Sequence, residues 1–289
     1  MFFIHRWIVV YSIGISFSLI ALKELSANTL EFATAKDLVE ECQVENNCLE
    51  VIEAVAKART LLKNINLEGL DLVGANLEGL RLINVNLSNA DLRIAYVKKA
   101  NFSGTSFISS NLNGAYFEEV SMNNTSLVGA NLENSYFNDV NFVSADLTGA
   151  YLANANFINS DFADANLENA DLTDAYISSS ARGANLRSAN LSGFAFSFYD
   201  LDYINIDGAN LESAIINTDG IKADSKTAYQ LKQACNWQQA IYKAEQNNDG
   251  EWIVDEVANH KYIEQLIQDK TSEPLKKVDC TKWQDVNNK

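Results

Sequence analysis

Residues 145–154 read Ala-Asp-Leu-Thr-Gly-Ala-Tyr-Leu-Ala-Asn, which is two copies of the five-residue unit that decides the fold. A large apolar residue stands at the centre of each copy, here Leu147 and Leu152. Such a residue recurs at every fifth position from Leu62 to Ile177, which gives 24 consecutive centres. A short period sustained over this length is typical of a solenoid. Neither the 3.6-residue period of a helix nor the two-residue alternation of a strand fits it.

The other positions of the unit also have characteristic residues. The second residue before the centre is usually small, such as Ala145, and the residue directly before the centre is often Asn or Asp, such as Asp146. The second residue after the centre is commonly Gly, Asn or Asp, as at Gly149 and Asn154. These three residue types enter the left-handed backbone region at low cost, so we expect each unit to end in a turn.

This pattern, Ala-(Asp/Asn)-Leu-x-Gly in its cleanest copies, resembles the pentapeptide-repeat family. The resemblance implies an all-β solenoid: a right-handed quadrilateral parallel β-helix with four five-residue faces per coil and inward-pointing centres. Residues 20 apart, such as Leu92, Leu112 and Leu132, would then stack at the ~4.8 Å spacing of neighbouring strands. Side chains stacked in this way fill the interior, so we expect a core with no room for a pore or a ligand.

The period changes once along the chain. After Ile177 the next centre is Leu186, an interval of nine residues where two units require ten. Residues 178–185 therefore either lack one residue or loop out four. The repeat then continues to about Ile221, so we expect a repeat domain over residues 62–221 with about eight coils.

The N-terminal flank predicts two further segments. Residues 1–27 have the pattern of a secretory signal peptide, because His5 and Arg6 precede an apolar run and Leu25-Ser26-Ala27 offers a small-residue cleavage site. An uncleaved membrane anchor is the alternative. Residues 28–61 show helical apolar spacing and predict an N-terminal helical cap, since a bare solenoid end exposes unpaired strand edges.

Residues 222–289 lose the five-residue period and predict a C-terminal helical cap. One helix is expected to begin at Ser225 and run toward Ala244, and a second to extend from about Asp255 to Asp269. The aromatic residues expected to form the core of this cap are Trp237, Tyr242, Trp252 and Tyr262.

All four cysteines lie outside the repeat. An even number of cysteines in an exported chain predicts two disulfides, Cys42–Cys48 and Cys235–Cys280. A zinc site is the rival interpretation, but the sequence has no Cys-x-x-Cys pair. We expect no bound metal and no cofactor.

The charge and the residue types argue against two classes of function. The net charge is −16, and no Lys or Arg occurs from Asn101 to Ile177, so direct binding to nucleic acid is not expected. Of the two histidines, His5 falls in the signal peptide and His260 lies on an expected cap helix as a surface residue. Without another imidazole, nucleophile–base arrangements lack their base, and we predict that the protein is not an enzyme.

One surface feature predicts an interaction face. The residue directly before the centre on a single face is tyrosine in four of five successive coils, with Asn156 in the remaining one. Tyrosine is enriched at protein contact surfaces, whereas stacked rings that only shield the β-sheet backbone are the alternative. The residues of this candidate face are Tyr96, Tyr116, Tyr136 and Tyr176.

These observations together favour a non-enzymatic scaffold or protein-interaction module whose partner is another protein. It is expected to be exported, and the family resemblance suggests a periplasm or thylakoid lumen. The resemblance also suggests an alternative, an acidic DNA mimic that modulates a type II topoisomerase. The signal peptide and the cysteines argue against that alternative because they place the chain outside the compartment where such an enzyme works.

Overall fold

The computed structural model describes residues 48–57, 59, 61–196, 204–216, 229–247, 252–269 and 278–283. The predicted signal peptide, residues 1–27, lies outside the described residues, as does most of the predicted N-terminal cap. The helices and strands in chain order are α1 (Cys48–Lys57), β1 (Leu61–Lys63), β2 (Arg81–Ile83), β3 (Tyr96–Lys98), β4 (Tyr116–Glu118), β5 (Tyr136–Asn138), β6 (Asn156–Asp161), β7 (Tyr176–Ser180), β8 (Ala195–Phe196), β9 (Ile215–Ile216), β10 (Ala244–Gln246), β11 (Trp252–Val254) and α2 (Glu256–Gln268).

The repeat forms a parallel β-solenoid, which confirms the predicted fold class. Strands β3 to β9 form one seven-stranded parallel sheet in chain order. On the other faces, single parallel bridges join residues 20 apart, such as Asp91 to Asn111 and Asn111 to Asn131. The 20-residue interval holds for about six turns. Each coil therefore lies directly on the one before it, as the five-residue period predicts.

The interior of the solenoid is a continuous apolar core. Leu92, Leu112 and Leu132 are fully buried, one in each of three successive coils. In another column, the Phe137 ring stacks on the rings of Phe117 and Phe157 at centroid distances of 4.9 and 4.6 Å. Stacking at this distance is favourable for aromatic rings, and it follows from the spacing of the strands.

The change of period between Ile177 and Leu186 is a deletion of one residue. Ile158 pairs with Ser178, whereas Asp161 pairs with Ser180, so the interval between paired residues falls from 20 to 19. No loop interrupts β7 at this point, and the alternative of four looped-out residues is wrong. Ala181 follows Ser180 as Phe162 follows Asp161 and is buried, so a small residue takes a position of the core that a phenylalanine holds one coil earlier.

Helix α1 lies at the N-terminal end of the solenoid. Its apolar residues Val51, Ile52, Val55 and Ala56 are buried in the same core as Leu62. A Glu53 carboxylate oxygen accepts a hydrogen bond of 2.8 Å from the backbone N–H of Asn76. One coil later, the equivalent N–H of Tyr96 donates to the carbonyl of Ala75. Glu53 thus supplies the acceptor that a preceding coil would have provided.

The C-terminal segment differs from the predicted pair of helices. In its described part, the helix expected from Ser225 toward Ala244 is present only at residues 229–231. Beyond it, Cys235 bridges Asn210 and Ile241 bridges Ile215, both in parallel. The segment therefore adds a partial coil to the solenoid. The physical reason is that the last coil has an open strand edge, whose backbone groups need partners, and the backbone groups inside a helix are already paired with one another.

The remainder of this segment packs on that partial coil. Strands β10 and β11 pair antiparallel and lead into α2, which matches the second expected helix and begins after the N-cap Asp255. Tyr242 is fully buried, its ring lies 5.3 Å from that of Tyr262, and its hydroxyl donates to the carbonyl of Trp237. The side chain of Trp252, also expected in this core, lies outside what the structure describes.

A disulfide ties the C-terminal tail to the solenoid. Cys235 and Cys280 are bonded with a Cα–Cα distance of 5.7 Å, which confirms the predicted pair. Lys282 donates to the backbone carbonyl of Ser188, and the Trp283 indole N–H donates to the carbonyl of Gly208. Cys48 is also disulfide-bonded; its predicted partner, Cys42, lies outside the described residues.

Candidate functional site

The four predicted tyrosines fall in one column on the outside of the seven-stranded sheet. Tyr96 pairs with Tyr116, Tyr116 with Tyr136, Tyr136 with Asn156, and Asn156 with Tyr176. We call these five residues the tyrosine column. The rings of the first three stack nearly in parallel, with centroid distances of 5.5 Å and 5.2 Å and interplanar angles of 10° and 5°. The structure therefore brings three of the four predicted rings into direct contact.

The tyrosine column is exposed at its N-terminal end and half-buried further along. Tyr96 is 38% exposed, whereas Tyr116, Tyr136 and Tyr176 are half-buried. The rings therefore cover one another and part of the sheet, yet present their edges to solvent. Such a surface offers apolar area that is already ordered, so little side-chain entropy is lost on binding.

Ile94 extends the apolar surface at the corner next to Tyr96. Its side chain is 66% exposed, and its φ is 52°. A β-branched residue in the left-handed region is an outlier, because its Cβ substituents crowd the backbone. The sequence pattern predicts Gly, Asn or Asp at this position, and the pattern alone does not mark the isoleucine as a candidate contact residue. Exposure and strain in the same residue are the signals that identify it.

Charged residues border the tyrosine column and neutralise one another. Lys98 pairs with Glu118 at 2.7 Å, and Lys99 with Glu119 at 4.0 Å. The hydrogen bond from Lys98 lowers the pKa of the Glu118 carboxyl, and it raises the pKa of the Lys98 ammonium group. A general acid needs the opposite shift, so Glu118 is unsuited to that role at neutral pH. The pair instead forms a polar border.

Tyr116 connects this border to the rings. Its hydroxyl donates to the second carboxylate oxygen of Glu118 at 3.3 Å. Desolvation raises the pKa of the Tyr116 phenol, and the neighbouring Glu118 carboxylate adds to the effect. Tyr116 therefore stays protonated and keeps its hydroxyl as a donor over the whole physiological pH range.

Asn156 interrupts the rings between Tyr136 and Tyr176. Its side-chain oxygen Oδ1 is buried, and no donor in the described part of the chain reaches it. The residue as a whole is half-exposed. A buried acceptor left without a donor costs about 1–3 kcal/mol. The sequence marks this position as the gap in the column, but the unpaired oxygen is visible only in the structure.

The other candidate residues do not come together in a site within the described part of the chain. His260 lies on the exposed surface of α2, where its ring is 3.3 Å from Glu264 in the next turn of the helix. Among the described residues, no group of His, Cys, Asp and Glu side chains could hold a metal ion. In the same part of the chain, no helix is both long and apolar enough to cross a bilayer.

A model of the family described as pentapeptide repeats matches the chain in eight copies, over residues 60–93, 100–139, 141–178 and 182–217, about half of the chain. No curated protein sequence gives a significant match.

Several solved structures of repeat proteins are similar to this chain. HetL, a pentapeptide repeat protein involved in heterocyst differentiation regulation in the cyanobacterium Nostoc sp. strain PCC 7120, is 22% identical; the match covers 71% of this chain and 98% of HetL, with a TM-score of 0.27. Full-length QnrB1, a plasmid-mediated fluoroquinolone resistance protein, is 19% identical over 56% of this chain and 90% of its own, with a TM-score of 0.27. A pentapeptide repeat protein of the Arabidopsis thaliana thylakoid lumen is 27% identical over 37% of this chain and 67% of its own, with a TM-score of 0.19.

Proposed function

Because this chain belongs to the pentapeptide-repeat family, we propose that it acts without catalysis, as an exported module that binds another protein through its tyrosine column. The observation that carries the proposal is the stack of Tyr96, Tyr116 and Tyr136 on the outside of a filled rod. Ordered aromatic rings beside a neutral polar border have the composition of a protein contact surface. The rod holds these rings at fixed spacing, so a partner meets a preformed surface.

The disulfides support export. Cys235 is bonded to Cys280 and Cys48 is also oxidised, and such bonds persist in a periplasm or lumen but are rare in a reducing cytosol. Fractionation of the native host, with a mass measurement of the mature protein under non-reducing conditions, tests this part of the proposal. A reduced protein in the cytoplasmic fraction would contradict it.

The binding surface is tested with a double variant, Tyr116→Ala with Tyr136→Ala. In a pull-down from the extract of the compartment that contains the protein, this variant should lose its partner while its thermal midpoint changes little. The matched control is Tyr151→Ala, which removes an exposed tyrosine outside the column and should keep the partner. If the double variant keeps its partner and instead loses much of its stability, the rings serve to shield the sheet.

The second candidate is an acidic DNA mimic that modulates a type II topoisomerase. The absence of Lys and Arg from Asn101 to Ile177 in a chain of net charge −16 favours it, because such a rod presents unbroken negative charge along its middle coils. A supercoiling assay with purified topoisomerase decides between the two: inhibition by the wild type that does not depend on Tyr116 and Tyr136 would support the mimic.

A further inference from the structure

We propose that the gap at Asn156 binds one tyrosine side chain, carried by a basic, extended segment of the partner protein. This inference rests on the proposed function, because it specifies what the partner inserts into the tyrosine column. We call the space above Asn156, between the rings of Tyr136 and Tyr176, the Asn156 slot.

The spacing of the column leaves room for one ring in this slot. Tyr136 and Tyr176 lie one coil to either side of Asn156, so their backbones are about 10 Å apart. The Asn156 side chain is shorter than a tyrosine and fills only the inner part of this space. A ring inserted from outside would lie about 5 Å from each neighbour, within the range of offset-stacked pairs. The centroid distance between the stacked rings of Tyr116 and Tyr136, 5.2 Å, is of this size.

The amide of Asn156 selects a ring that carries a hydroxyl group. Oδ1 has no donor among the described residues, and the terminal torsion of an asparagine is broad, so the amide can turn toward the slot. A tyrosine that enters tip first brings its hydroxyl to this amide, where it donates to Oδ1 and can also accept from Nδ2. Phenylalanine stacks equally well but leaves the oxygen unpaired.

The charge around the slot selects a basic segment. The coils on both sides contain no Lys or Arg from Asn101 to Ile177, and the cations at the border of the column, Lys98 and Lys99, are already paired with glutamates. The neighbouring columns carry the carboxylates of Glu133, Asp139 and Asp174. Lys or Arg on either side of the inserted tyrosine would face these carboxylates, so complementary charge favours a partner sequence of that kind.

The test uses a short peptide, Ac-Lys-Tyr-Lys-amide, titrated into the oxidised full-length protein and followed by NMR through the backbone amide signals of Tyr136 and Tyr176, which every variant retains. We expect saturable binding, at least five-fold weaker binding of Ac-Lys-Phe-Lys-amide, and weaker binding of Ac-Glu-Tyr-Glu-amide. The Asn156→Tyr variant fills the slot, so it should stop binding and raise the thermal midpoint. Asn156→Ala keeps the slot open but removes the amide, so it should bind the tyrosine and phenylalanine peptides equally.

Equal affinity of the wild type for the tyrosine and phenylalanine peptides would overturn the proposal. So would binding that survives in Asn156→Tyr, or no binding at all. These outcomes can be distinguished from a failure of the proposed function, because the pull-down with the double variant Tyr116→Ala and Tyr136→Ala tests that function separately. If the double variant loses its partner but no peptide binding depends on Asn156, then only the proposal of the Asn156 slot is wrong. If Asn156→Tyr abolishes peptide binding but the double variant keeps its partner, then only the proposal that the tyrosine column binds the partner is wrong.

Discussion

The residue at each corner of a coil sets the local cost of the turn. The sequence predicts a residue tolerant of positive φ at this position, and Gly149 and Asn154 adopt φ values of 63° and 58°. Lys99, Glu119 and Ile94 adopt the same conformation although their residue types disfavour it. At Ile94 the backbone N–H donates to the carbonyl of Asn113 in the next coil. The backbone hydrogen bonds between coils therefore impose the turn, and the residue type changes only the free energy that the turn costs.

Replacing Ile94 by asparagine should stabilise the protein by about 1 kcal/mol, because asparagine enters the left-handed region more cheaply. Thermal or urea unfolding measures the change. The reciprocal variant Asn154→Ile, at an equivalent corner of the same face, should lose a similar amount. A loss of stability in Ile94→Asn would mean that contacts of the exposed isoleucine stabilise the protein by more than its backbone strain destabilises it.

At the scale of single elements, both ends of the solenoid are closed by segments without the repeat. Helix α1 buries its apolar face on the first coils and supplies Glu53 to the N–H of Asn76. At the other end, Cys235 and Ile241 complete the ladder beyond the last coil. The sequence predicts a cover at each end and the helix α2 in the second, but not the partial coil through Cys235 and Ile241. Helical propensity is a local property, whereas pairing with an open strand edge depends on distant residues.

Glu53→Ala should cost about 1 kcal/mol, since it leaves the Asn76 N–H without its protein acceptor. Amide hydrogen exchange at Asn76 should become faster, while exchange at the equivalent amide of Tyr96 should stay the same. Glu53→Gln retains an oxygen acceptor and serves as the control, with little change in either measurement. Unchanged exchange at Asn76 in the alanine variant would show that the helix itself, rather than the carboxylate, protects this edge.

The disulfide at Cys235 should hold the tail in place. A variant with Cys235→Ser and Cys280→Ser should lose up to about 4 kcal/mol, because the bond closes a long loop in the unfolded chain. The fluorescence of Trp283 should shift to longer wavelength as its indole leaves the Gly208 carbonyl. Thr281→Ala, which removes a hydroxyl that donates to Asp279 within the tail and keeps the bond, should leave that emission nearly unchanged. An emission unchanged in the double variant would show that the tail docks without the bond.

At the scale of the whole molecule, the five-residue period predicted most of the fold because it is repeated in every coil. Leu92, Leu112 and Leu132 could be assigned to one column by counting alone. Counting could not decide how the chain passes from Ile177 to Leu186, because a deletion and a loop give the same spacing. The column of tyrosines was likewise predictable, but the buried oxygen of Asn156 was not, since the burial of a single atom depends on side-chain packing that the repeat does not specify.

Removing one whole coil tests whether each coil can be deleted without disturbing the coils that follow it. Deletion of residues 121–140 joins Val120 to Asn141 and keeps every later residue in its position within the unit. The product should fold, with a lower thermal midpoint because one coil and its contacts with neighbouring coils are lost. Deletion of residues 121–139 displaces the following chain by one position and should reduce the midpoint much further. Similar midpoints for the two deletions would show that register is not strictly enforced.

The contacts of the disulfide-bonded C-terminal tail have a consequence for how a finished molecule can be recognised. Lys282 and Trp283 contact Ser188 and Gly208, which occupy equivalent corners of two successive coils. We therefore expect Cys280 to be held beside Cys235 once the last coils have stacked in register. Oxidation of this thiol pair would then report that assembly has reached its final stage, and a protein captured with both thiols still reactive would be an unfinished one.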